Sequence, residues 1–306
     1  GSTTREEDFM VNMFVATMHN TILFFTENGK CYWLKVYKIP EGVKASKGRA
    51  IQNLINIDKD DTIKTFVNVK NLKDEEYINN NYLVLATKKG VIKKTRLEAY
   101  SRPRQNGINA IIIREGDMLL DARLTDGDTE LMLAVKSGKA IRFHEDTVRA
   151  VGRTSSGVKG VTLGGPKDEV VGIVTAKQGE QDILVISEHG FGKRSALDDY
   201  RFTNRGGKGV KTINVTEKTG NLIALKAVTD DDDLMIITES GIAIRLAVSG
   251  MRVMGRNTQG VKLINLREGD QIAAATQVPS NDENGDQDKL NSDDAQEGSP
   301  EADTEE

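Results

Sequence analysis

One pattern recurs five times along the chain and narrows what it can fold into. The segments TILFFTENGKCYWLKV, YLVLATKKGVIKKTRL, ELMLAVKSGKAIRFHE, DILVISEHGFGKRSAL and DLMIITESGIAIRLAV each read as an apolar strand, a polar turn ending in glycine, and a second strand. The turn glycines are Gly29, Gly90, Gly138, Gly190 and Gly241, spaced by 61, 48, 52 and 51 residues. Glycine enters positive φ without a steric penalty, so a short hairpin loop accounts for its place in every copy. The long first interval holds a polar insertion, NVKNLKDEEYINNN.

A second glycine keeps phase with the first. Gly48, Gly157, Gly209 and Gly260 each follow their turn glycine by 19 residues, and Gly107 follows Gly90 by 17. A third apolar stretch comes next: AIQNLINI, INAIIIRE, VKGVTL, VKTINV or VKLINL. Then comes a polar turn, such as REGD at 114–117 and 267–270, and a fourth stretch: MLLDARL, VVGIVTA, LIALKAV or IAAATQV. Four short strands in each repeat of about 50 residues, without helical periodicity, predict an all-β, propeller-like array of four-stranded blades. The blades divide at about 21–81, 82–129, 130–181, 182–232 and 233–278, and DFMVNMFVAT within 1–20 reads as the end of one more.

Charge is divided unevenly along the 306 residues. Residues 280–306 carry eleven acids and one base, Lys289, for a net of −10, while residues 1–279 have a net of +6. The tail has one leucine and no aromatic residue, too little apolar surface to offset ordering entropy, so 279–306 reads as an acidic disordered tail. A mildly basic body suggests a polyanionic partner, and the tail a competitor for the same surface. No apolar run approaches the roughly 20 residues of a membrane helix. The single cysteine, Cys31, excludes an internal disulfide framework and fits a reducing cytoplasm. His19, His144 and His189 are far apart and make no metal-ligand spacing, and the aspartates at 230–233 lack that of a calcium loop. Gly190-Phe-Gly-Lys-Arg-Ser lacks the spacing of a phosphate-binding loop.

Basic residues also recur in phase. Four residues past the turn glycine stand Trp33, Lys94, Arg142, Arg194 and Arg245. Four before the second glycine stand Lys44, Pro103 with Arg104 beside it, Arg153, Arg205 and Arg256; eight before it stand Arg149, Arg201 and Arg252. Lys159, Lys211 and Lys262 lie two after it, Lys208 just before Gly209, and Lys47 and Arg49 on either side of Gly48. For one such residue a solvated loop is the usual setting. Recurrence at one phase instead predicts a ring of positive charge on one rim, a track for the phosphates of duplex DNA. Aromatic residues are 5 % of the chain and none keeps an exposed-looking phase, which argues against stacking on single strands.

The motifs VYKIPEG with SKGRAIQNL, DTVRAVGRTSSGVKGVTL, HGFGKRSALDDY and MRVMGRNTQGVKLI resemble, in order and over residues 5–278, the C-terminal domain of DNA gyrase A subunits. That resemblance implies a six-bladed β-pinwheel, a propeller relative with strands exchanged between neighbouring blades. It implies a non-catalytic module that wraps duplex DNA around its rim in a positive sense, so that the holoenzyme introduces negative supercoils with ATP. The implied partners are double-stranded DNA, the rest of the gyrase A subunit, plus the gyrase B subunit in an A2B2 assembly on the bacterial chromosome, with no membrane. It implies no cofactor in this domain, ATP and Mg being used elsewhere, and no catalytic tyrosine. The family's glycine-rich box, Q-R-R-G-G-[RK]-G, belongs upstream of TTREEDF, so the first blade is expected to be incomplete. Asn204-Arg205-Gly206-Gly207-Lys208-Gly209 resembles the box without its leading Gln-Arg and reads equally as a flexible basic loop. The alternatives are a propeller scaffold that binds protein and the corresponding domain of a topoisomerase IV A subunit.

Overall fold

The computed structural model describes residues 14, 16–42, 47–177 and 179–279. The tail from 280 and most of 1–20 lie outside the described residues, as does Lys44. The rest forms a propeller-like ring of five antiparallel sheets rather than six blades.

From the inner strand outward, the first sheet orders Ile63–Val69, Thr21–Thr26, Lys30–Lys35 and Ile108–Asn109. The second orders Leu119–Thr125, Tyr82–Thr87, Val91–Arg96 and Val158–Lys159. The third runs Val170–Ala176, Glu130–Val135, Lys139–His144 and Val210–Lys211, and the fourth Leu222–Val228, Asp182–Ser187, Phe191–Ala196 and Val261–Lys262. The fifth has three strands, Ile272–Pro279, Asp232–Thr238 and Ala243–Ala247.

The outermost strand of each of the first four sheets comes from the following repeat. Four of the five third apolar stretches therefore leave their own blade: Ile108–Asn109 pairs with Lys30–Lys35, and Val158–Lys159 with Val91–Arg96. Only two residues of each stretch are strand. The first copy, AIQNLINI, makes a 3-10 turn at Ile51–Asn53 instead. The polar insertion ends in a short helix, Glu75–Asn80, whose Tyr77 N–H donates to the Asp74 carboxylate.

The uninterrupted apolar runs have a packing reason. Each hairpin's first strand is covered on both faces, so both of its residue sets are apolar. Leu83 and Leu85 face the cluster of Leu23 and Phe25, whereas Val84 and Ala86 face that of Leu131 and Leu133. Likewise Ile183 and Val185 pack with Met132, and Leu184 and Ile186 with Leu234 and Ile236. Cys31 lies in the first of these clusters, and burial raises its thiol pKa well above the ordinary value.

The polar turns tie the hairpins to the inner strands. Asp117 accepts from the backbone N–H groups of Lys89 and Met118, and Asp270 from those of Ser240 and Gln271. All five inner strands line one axial channel of about 440 Å³. The hairpins' second strands and the short exchanged strands therefore lie toward the rim, where the basic residues were expected.

Candidate nucleic-acid interface

Three of the four cations four residues past the turn glycine are buried rather than open on the surface. Lys94, Arg142 and Arg194 are 6, 6 and 8 % exposed. Arg142 pairs with Glu130 at 2.7 Å, Arg194 with Asp182 at 2.6 Å, and Arg245 with Asp233 at 2.5 Å. Each acid lies on the facing hairpin strand, diagonal to its arginine, where long side chains reach one another. In the second sheet Tyr82 takes the place of the acid. There the Lys94 ammonium lies 4.8 Å from the Tyr82 ring centroid and 3.4 Å from the Glu145 carboxylate.

These residues also clasp the next sheet. Lys94 Nζ donates to Glu145 O, Arg142 Nη1 to Leu197 O and Tyr200 O, and Arg194 Nη1 to Val248 O. Trp33 holds the same position in the first sheet, and its indole N–H donates to Tyr100 O at 2.9 Å. Burial and ion pairing thus argue against the expected phosphate contacts at Lys94, Arg142 and Arg194, while Arg245 is paired with Asp233 but 31 % exposed. The charge of Lys94, Arg142 and Arg194 serves the joints between sheets. Two of the aspartates at 230–233 are spent there too, since Asp230 also pairs with Arg194 at 2.6 Å.

The loop arginines are placed otherwise. Arg153, Arg205 and Arg256 are half-buried, and each donates through Nη1 to a carbonyl of the preceding exchanged strand. The acceptors are Asn109 O at 2.9 Å, Lys159 O at 3.0 Å and Lys211 O at 2.9 Å. Arg205 Nε and Arg256 Nε also donate to Thr147 O and Asp199 O. Among the described residues none of the three meets a carboxylate. Each guanidinium is thus oriented by backbone while its charge stays uncompensated. Around them Arg149, Lys159, Arg201, Lys208, Lys211, Arg252 and Lys262 are exposed, as are Lys47, Arg49 and Arg104 near the first sheet.

The glycine-rich loop is a fixed element. Gly206 N–H donates to Gly160 O at 2.7 Å, Thr162 N–H to Gly207 O at 2.8 Å, and Thr162 Oγ1 to Gly206 O at 2.6 Å. Gly206 and Gly209 have φ of +85° and +72°, a backbone that L side chains rarely adopt. The loop lies flat on the exchanged strand and presents Lys208 to solvent.

Two supporting residues escaped the sequence reading. Lys93 and Lys193, immediately before Lys94 and Arg194, are each 1 % exposed. Lys93 Nζ donates to Ala110 O and Arg153 O, and Lys193 Nζ to the carbonyls of Gly255, Arg256 and Thr258. Burial, with Arg153 second, pushes Lys93 down to about 7; burial, with Arg256 second, pushes Lys193 down to about 8. Both lie behind the loops that carry the half-buried arginines. The signal was a lysine three residues past Gly90 and Gly190 where Ile141 and Ile244 stand in other copies. An exposed aromatic residue was also missed: Phe202 is 53 % exposed beside Arg201.

Among the described residues no helix is long and apolar enough to cross a membrane, and no group of three or more His, Cys, Asp or Glu is placed to hold a metal.

A family model described as DNA gyrase C-terminal domain, beta-propeller, matches residues 20–70, 81–126, 129–177, 181–229 and 232–279. The DNA gyrase A subunit of Staphylococcus aureus (strain MRSA252) is 42 % identical over 305 residues, 99 % of this chain and 34 % of that protein. The DNA gyrase A subunit of Staphylococcus epidermidis (strain ATCC 12228 / FDA PCI 1200) is 41 % identical over 285 residues, 93 % of this chain and 31 % of that protein. The chain thus spans about a third of the length of the curated relatives it matches. Among solved structures, the C-terminal domain of DNA topoisomerase IV superposes with a TM-score of 0.76 at 25 % identity, covering 86 % of this chain and 80 % of that one. A DNA gyrase A C-terminal domain superposes with a TM-score of 0.73 at 24 % identity, covering 86 % and 83 %, and shares the fold.

Proposed function

Because the chain belongs to the DNA gyrase C-terminal domain family, we propose that it binds duplex DNA on its rim and bends it along successive sheets. One observation carries this reading: Arg153, Arg205 and Arg256 recur on consecutive repeats, held by backbone carbonyls and without acidic partners among the described residues. A protein that follows duplex backbone needs cations at each return of the inward-facing groove, about every 10 bp. The exposed Arg149, Arg201 and Arg252 with Lys159, Lys211 and Lys262 supply charge at that repeat.

In the whole enzyme this module would be non-catalytic and need no cofactor of its own. It would present bent DNA to the rest of the gyrase A subunit, in concert with the gyrase B subunit, and the assembled enzyme would use ATP to introduce negative supercoils in the cytoplasm. The gyrase reading is preferred over topoisomerase IV because the curated relatives at 41–43 % identity are gyrase A subunits. A protein-binding scaffold explains the exposed Lys159, Lys208, Lys211 and Lys262 less well, since lysine is depleted at protein interfaces.

The test is binding to duplexes of increasing length over a salt series. A DNA-bending rim favours long duplexes and loses affinity steeply with salt, by a slope of roughly 0.9 per neutralised phosphate. Equal, salt-independent binding to short and long duplexes would overturn the proposal.

A further inference from the structure

Electrostatic contact leaves the apolar side chains of the rim unexplained. Phe202 is 53 % exposed, Val253 48 % and Val151 37 %, all in the arginine-bearing loops. Ala150, Phe202 and Val253 form parallel bridges with Lys94, Arg142 and Arg194, respectively. They therefore hold one rim position on successive sheets, and only Phe202 puts a large side chain there.

We propose that Phe202 is an apolar wedge that enters the minor groove of bound duplex and opens one base step, giving the DNA path a localised kink. The proposal rests on the duplex binding proposed above.

Three observations support it. The backbone at the ring is fixed, because Thr203 N–H donates to Arg142 O at 2.9 Å next to the bridge. The ring is also backed: the Arg142 guanidinium lies 5.6 Å from its centroid. Glu130 at 2.7 Å and Asp198 at 4.0 Å offset that arginine's charge, which leaves it as a support for the ring rather than a phosphate contact. Finally, the ring's company is basic. Arg201 and Lys208 are exposed and Arg205 is half-buried, none with a carboxylate partner among the described residues. An aromatic ring among unpaired cations suits a nucleic-acid groove, where proteins that bend DNA insert apolar wedges flanked by basic residues. Ala150 and Val253 are too small to separate stacked bases, so one kink is expected rather than three.

The experiment compares the full chain with Phe202→Ser and Phe202→Leu. The duplexes carry 2-aminopurine at a central step and end labels for energy transfer. The central step is either TpA, which opens readily, or ApA, which resists. The wild type should bend the TpA duplex more than the ApA duplex and raise 2-aminopurine fluorescence. Phe202→Ser should bind within about threefold of wild type, lose the fluorescence rise and bend both duplexes equally. Phe202→Leu should keep part of both signals. Unfolding curves matching wild type establish that the variants fold, as substitution of an exposed side chain allows.

Unchanged bending and fluorescence in Phe202→Ser would overturn the wedge while leaving duplex binding intact. Weaker binding with an unchanged bend would also overturn it, by reducing the ring to a sugar contact. Failure of the wild-type chain to bind duplex at all would sink the functional reading and the wedge with it.

Discussion

Two sets of cations keep equally strict phase in this chain and meet opposite fates. Arg142, Arg194 and Arg245 stand four residues past a turn glycine and form ion pairs with the facing strand of their own hairpin. Arg153, Arg205 and Arg256 stand four residues before the second glycine and meet only carbonyls, their charge open to a partner. The difference is in the counter-charge. Glu130, Asp182 and Asp233 each stand on the strand facing an arginine of the first set, whereas among the described residues no carboxylate meets the second set. Periodic charge marks a binding track only where no opposite charge comes within reach of it in the fold.

The largest expected effect breaks the first set. Arg142→Ala leaves Glu130 without its partner and removes the guanidinium donor from the carbonyls of Leu197 and Tyr200. Removing one member of a buried pair costs about 3–5 kcal/mol. Arg153→Ala removes a partly exposed hydrogen bond and should cost about 1 kcal/mol. Urea unfolding of the two variants measures the contrast, and equal losses would erase the distinction between the two sets.

Next is the converse, read in DNA binding. Arg153, Arg205 and Arg256 changed together to Ala should lower the salt slope by about three phosphates' worth, roughly 0.9 each. Affinity should fall about equally across duplex sequences, because phosphate contacts carry no sequence information. Arg245→Ala, outside the track, should leave the slope of the folded protein unchanged. A slope lost on Arg245→Ala instead would reverse the assignment of the two sets.

The buried lysines sharpen the comparison through pH. Lys93 in the unfolded chain keeps its proton up to about its ordinary 10.5, whereas in the folded state it titrates near about 7. Between those values the unfolded chain binds more protons, so this group makes stability rise with pH. Below about 7 both states are charged and the cost of burying the ammonium is fully present. Lys193 acts the same way above about 8. Unfolding free energies between pH 6 and 10 should climb in wild type and climb less in Lys93→Met. Parallel curves would show that Lys93 keeps its proton on its two carbonyls throughout.

The hairpins were legible because their chemistry is local: an apolar run, a turn glycine at positive φ, a second strand. The destination of the third stretch was not, since VKGVTL reads the same whether Val158–Lys159 pairs within its own blade or with Val91–Arg96. Only the family resemblance pointed to exchange between blades, and its sixth blade has no counterpart among the described residues. At the rim, Arg205 and Lys208 were legible through the glycine phase. Phe202 was missed because its copies, Ala150 and Val253, share its place and not its chemistry. The clasp of Lys94 was obscured because Tyr82 stands where the later copies carry an acid.

The smallest expected effects come from two glycines that share a phase and differ in setting. Gly209 has φ of +72°, and a Cβ there would press on the Ala140 carbonyl of the neighbouring strand. Positive φ costs an L-residue roughly 1–2 kcal/mol, and the carbonyl is backbone that cannot swing aside. Gly209→Ala should therefore lose about 2 kcal/mol of stability. It should also weaken duplex binding, because the shift displaces Lys208 on one side and Lys211 on the other. Gly48 stands 19 residues past its own turn glycine, as Gly209 does. Its copy of the third stretch is a 3-10 turn rather than an exchanged strand, and a Cβ there meets nothing within 4 Å. Gly48→Ala should change stability by less than about 0.5 kcal/mol. Thermal unfolding of the two variants decides whether the glycine phase marks strand exchange. Equal losses would mean that the first repeat also depends on a glycine at this position, whatever follows it.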